Sequence, residues 1–119
     1  MNIDKNEQNK VAQEGSDRFK AIMKMSQEAN SYVYDGNSDM ISVTADYPKA
    51  IALVDDCLRQ VKEIGKGVGT VSKTGEKAAF KWYEKLMLQK VILELMSRDE
   101  PAIPESVKPA AKARAAAEW

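Results

Sequence analysis

Between Asp46 and Gly65 one set of apolar residues repeats with the period of a helix. Ala50, Val54, Cys57, Leu58, Val61 and Ile64 recur three and four positions apart, which at about 100° per residue collects them on one arc of a helix. Asp55, Asp56, Arg59, Lys62 and Glu63 fall on the opposite arc. Such a segment has few options. It forms an amphipathic helix and must lay its apolar side against another element. Asp46 stands where an N-cap belongs, and Pro48 lacks an N–H that the first turn leaves unpaired anyway. Gly65 reads as the end of this helix.

A second helix precedes it. From Ser16, read as an N-cap, Phe19, Ile22, Met23, Ala29 and Val33 share one side, with Lys20, Lys24, Gln27 and Glu28 on the other. The Asp35-Gly36-Asn37 cluster is a stop and turn signal. Residues 36–46 are ambiguous. Ile41 and Val43 alternate with Ser42 and Thr44, the period of a short strand, yet nothing else in the chain offers a partner strand. The reading is an extended loop that packs Ile41 and Val43 onto the helices; a strand across residues 39–45 pairing with another chain is the alternative.

Residues 65–75, GKGVGTVSKTG, hold four glycines and read as a flexible connector. A third helix follows, from Thr74 or Gly75 to Ser97, rich in Ala, Leu, Met, Glu and Lys. Its apolar side changes direction partway. Ala79, Trp82, Tyr83, Leu86 and Met87 lie on one side. Leu88, Val91, Ile92, Leu95 and Met96 lie roughly half a turn away, and Lys90 and Glu94 take over the earlier side. One flat partner cannot cover both stripes. Either the helix bends, or its two ends are buried by different partners, one of them on another subunit in one version of this reading.

Past Arg98 three prolines interrupt the chain, and the stretch reads as an extended linker. The alanine-rich end, AAKARAAAEW, is compatible with helix but too short to be stable alone. Trp119 either docks on the core or on a partner, or stands free.

The chemistry available is narrow. The chain contains no histidine and one cysteine, Cys57. This removes Ser-His and Cys-His dyads, His-containing zinc sites and an intrachain disulfide. No cofactor and no metal site is expected, and Cys57, mid-stripe on its helix, reads as a buried small hydrophobe. The acidic cluster of Asp55, Asp56 and Glu63 reads as a solvated face. The polar opening MNIDKNEQNK lacks the apolar core of a secretory signal, and no run of residues is apolar enough to span a bilayer. A cytoplasmic protein with a reduced thiol is the resulting expectation.

Charge is balanced overall, with eighteen basic and eighteen acidic residues, but it is segregated. Residues 1–58 hold six basic and ten acidic groups, and residues 59–90 hold eight and three. Gly67 to Thr74 comes close to the phosphate-cradling pattern G-x-x-x-x-G-K-[ST], with Ser72 in place of the second glycine. Without that glycine, a preceding strand or a Mg²⁺ carboxylate, nucleotide hydrolysis is not supported. A weaker possibility is a phosphate or nucleic-acid backbone held by Lys66, Lys73, Lys77, Lys81 and Lys85.

Together these readings predict an all-α protein: a small three-helix bundle with a Gly-rich connector before the third helix and polar arms at both ends. The division expected is a polar N-terminal arm over 1–15, a helical domain over 16–98 and a Pro/Ala-rich tail over 99–119. The expected function is a non-enzymatic protein-interaction module, by self-association or in a hetero-complex, with Trp82, Tyr83, Met87, Ile92 and Met96 as partner anchors. The alternative is nucleic-acid binding through the five lysines.

Overall fold

The computed structural model describes residues 5–34, 41, 45–98 and 104–119, with backbone alone for 5–16. Four helices run through the described residues: α1 Lys5–Ser31, α2 Tyr47–Gly69, α3 Lys73–Ser97 and α4 Val107–Glu118. The all-α class holds, while the three-helix count is corrected to four. The radius of gyration is 16.4 Å and the long axis 56 Å, against about 13–14 Å for the radius of a rounded chain of this length.

α2 and α3 form the central pair, antiparallel, joined through Thr70, Val71 and Ser72. α2 buries the whole arc from Ala50 to Ile64, and Asp46 caps it by accepting from the Lys49 N–H at 3.1 Å. The Gly-rich connector is corrected here: α2 does not end at Gly65 but continues to Gly69. Gly65 leaves a notch instead of a stop. A Cβ there would come within 3.0 Å of Ala79 Cβ and run into the Trp119 ring. Ser72 then starts α3 by accepting from the Gly75 N–H at 3.0 Å.

α1 lies on one side of this pair. Ile22, Ala29 and Val33 are buried, and Phe19 and Met25 pack against the core. Met23, expected on the same stripe, is 41% exposed. The Cys57 thiol on α2 donates to Ile22 O at 3.5 Å, and Gln89 on α3 donates to Ser26 O at 3.1 Å and to Asn30 Oδ1 at 3.0 Å. Ser16 is not an N-cap; it lies inside α1. Ile41 does not pack onto the helices as expected. It forms an isolated antiparallel bridge with Tyr34 and is 54% exposed. Val43 and the Asp35–Asn37 stop signal lie outside the described residues, as does most of 39–45.

α4 lies on the other side and runs back along α3. Its contact is built from small residues: Val107, Ala111 and Ala115 are buried, which lets the two helices approach closely. Arg114 clamps it, its Nη1 donating to both carboxylate oxygens of Glu94 on α3, at 3.1 and 3.2 Å. At its end, Trp119 meets Phe80 and Tyr83 edge to face, at centroid distances of 5.3 and 5.1 Å. The docked alternative for Trp119 therefore holds. Packing on α3 supplies the stability that a helix this short lacks alone.

Candidate functional site

The outer face of α3, between α1 and α4, combines the two features singled out in the sequence. Its first apolar stripe is interior: Ala79, Tyr83, Leu86 and Met87 are buried against α2 and α4. Its second stripe is half-buried. Leu88, Val91 and Met96 pack against the core, while Ile92 and Leu95 sit at its edge. The change of direction is answered mostly inside the chain, with α2 covering one side of α3 and α4 another. The polar residues that replace the first stripe are used as locks. Lys90 pairs with Asp55 of α2 at 2.5 Å, and Glu94 pairs with Arg114 of α4.

The five proposed anchors therefore separate. Tyr83 is 5% exposed and Met87 1%, so neither offers surface to a partner while the fold is intact. Trp82 is half-buried on the groove between α1 and α3, beside Phe19, Met23 and Gln89. Lys85 extends over its ring at 4.8 Å. Ile92 lines a neighbouring groove with Asn30, Tyr34 and Leu88. Met96 accepts a hydrogen bond from Tyr34 Oη at 3.5 Å. Trp82, Ile92 and Met96 retain accessible area; Leu88 and Leu95 share the same arc.

The lysines separate as well. Lys73, Lys77, Lys81 and Lys85 follow the seam between α3 and α4, the first two beside Phe80 and Trp119 and the last two around Leu88. Lys66, on α2, reaches over the Trp119 ring at 5.0 Å, the same ring that lines the groove with Lys73 and Lys77. The phosphate cradle is corrected: Gly67 and Gly69 are helical, and Ser72 Oγ already takes the Gly75 N–H. Sequence reasoning missed Lys108 and Lys112, which α4 adds to the seam opposite Lys81 and Lys85. Their four-residue spacing, the same as on α3, was the available signal.

The acidic residues of α2 are paired. Arg59 bridges Asp56 and Glu63 along α2, the contact to Glu63 at 3.1 Å. That guanidinium holds the Asp56 carboxyl below the usual carboxylate range. Burial pushes the Cys57 thiol up to about 11, with the Asp56 charge adding to the effect. A thiol so held stays protonated at neutral pH and is a poor nucleophile. Among the described residues, no group of three or more His, Cys, Asp or Glu side chains converges, and no helix is long and apolar enough to cross a membrane. No family model, curated protein or solved structure matches the chain.

Proposed function

We propose that this chain is a non-enzymatic protein-interaction module, such as a small adaptor, inhibitor or assembly factor, acting in the cytoplasm. The observation that carries the reading is the half-open apolar arc of Leu88, Ile92 and Leu95 on α3, between the α1 and α4 flanks. Completing the burial of one such side chain is worth up to about 1.5–3 kcal/mol, so a partner that closes over the arc gains on each. Trp82, Ile92 and Met96 are the anchors this reading retains.

The test is light scattering and hydrophobic-dye binding on the purified chain and on Ile92→Glu. Expected is a self-associating chain, or a monomer that binds dye, with either property abolished by the substitution while the thermal midpoint holds. A strictly monomeric chain that binds no dye overturns the reading.

One observation favours a second reading, nucleic-acid binding through Lys66, Lys73, Lys77, Lys81 and Lys85. Among the described residues, none of the five has a carboxylate within 4.0 Å. Binding of this kind weakens steeply with salt. Gel shifts at low salt with single- and double-stranded probes test it, and charge reversal at Lys77 and Lys81 must abolish any shift while sparing association through Ile92.

A further inference from the structure

We infer that the seam between α3 and α4 is the docking groove for an acidic amphipathic helix of a partner protein, one with leucine-type side chains along a stripe bordered by carboxylates. This rests on the protein-interaction reading and supplies the chemistry of the partner.

Charge complementarity gives the first half of the argument. Lys81 and Lys85 on α3 line one groove with Lys108 and Lys112 on α4, floored by Leu88 and Ala111, with the Lys85 ammonium also reaching over Trp82. Among the described residues, Glu84 is the one acidic residue lining it. Among the described residues no carboxylate pairs with any of the four lysines, whereas the acidic groups of α2 and of the inner side of α3 are committed. Asp55 is held by Lys90, Asp56 and Glu63 by Arg59, and Glu94 by Arg114. Among the described residues, the seam thus carries four lysines without an ion-pair partner.

The floor gives the second half. Past Leu88 the same arc of α3 continues into Leu95, also half-buried, whereas Ile92 lines the neighbouring groove with Asn30 and Tyr34. A phosphodiester backbone gains nothing from these side chains and needs cations where they stand. A helix with acids on its borders and leucines on its stripe satisfies both. The groove also has the right form, because two side-by-side helices with residues repeating every four positions accept a third helix along their seam.

The test uses the full chain and a fluorescein-labelled synthetic helix of about 18 residues, long enough to hold helical structure, with leucines at helical spacing bordered by glutamates. One companion peptide carries glutamine for each glutamate, and another carries serine for each leucine. A single-stranded DNA of equal charge is the fourth probe. The expected result is saturable anisotropy with the first peptide, weakening with salt, and about tenfold weaker binding of either companion, a difference of about 1.4 kcal/mol. The chain carrying Lys108→Glu and Lys112→Glu loses the same factor, as does Leu88→Ser. If Leu88→Ser fails to fold, Leu95→Ser, at another half-buried position of that arc, takes its place. Equal affinity for the glutamine peptide overturns the acidic partner and leaves the interaction reading standing. Preference for the DNA overturns both. Absence of binding to every probe overturns the groove, while the interaction reading still stands or falls by light scattering and dye binding.

Discussion

The indole of Trp119 fills the notch that Gly65 leaves in α2, so the last residue of the sequence rests on a position where any Cβ would collide with it. Two glycines on one helix therefore respond oppositely to alanine. Gly67→Ala meets nothing within 4 Å and should stabilise by up to about 1 kcal/mol, the ordinary helix preference. Gly65→Ala should destabilise by about 1–2 kcal/mol, because overpacking outweighs that preference. Urea midpoints of the two variants check the sign.

The clamp on α4 predicts a second effect. Arg114→Ala removes the Nη1 contact to Glu94 and the i,i+4 contact to Glu118. These groups are partly exposed, so the loss should be about 1 kcal/mol and shrink in high salt. In a Trp82→Phe background, a red shift of Trp119 emission at denaturant levels below the main transition would report α4 leaving α3.

Asp55 and Lys90 should prove unequal. The Lys90 side chain is 14% exposed and that of Asp55 48%. Removing the carboxylate in Asp55→Ala strands a largely buried ammonium and should cost about 1 kcal/mol or more. Lys90→Met keeps the stem, frees a half-exposed acid, and should fall within about 0.5 kcal/mol of the parent. Equal losses in thermal melts would contradict this.

Cys57 sets a pH dependence. Burial pushes its folded thiol up to about 11, above the ordinary thiol value of 9.0. Its contribution to stability is therefore fully present below the unfolded value. As pH rises between the two values, the unfolded chain releases a proton that the folded chain retains, and stability falls. Urea midpoints from neutral pH upward should show this decline in the parent and less of it in Cys57→Ala. At pH 8 a thiol reagent should label the native chain only as fast as it opens.

What the sequence made legible is what periodicity encodes. The arc from Ala50 to Ile64 is buried as its spacing requires, and the two stripes of α3 lie on the sides assigned to them. Gly65 was misleading because a glycine signals a helix end and a close approach with the same letter, and the residue that approaches it is far along the chain. α4 was harder to see because its contact is made by alanines, which contribute almost no apolar contrast to a pattern. With that helix unplaced, Lys108 and Lys112 had no visible relation to Lys81 and Lys85. The anchors Tyr83 and Met87 are interior for the same reason: the surface that helps to cover α3 comes from the alanine-rich end.

The three-residue turn from Thr70 to Ser72 gives the molecule an order of assembly. The two central helices lie close along the chain, so zipping them together costs little loop entropy and proceeds early. α1 packs on α2 and α4 on α3, so each flanking helix is expected to open before the hairpin does. Slow amide exchange should concentrate in α2 and α3, with the flanking helices opening at lower cost.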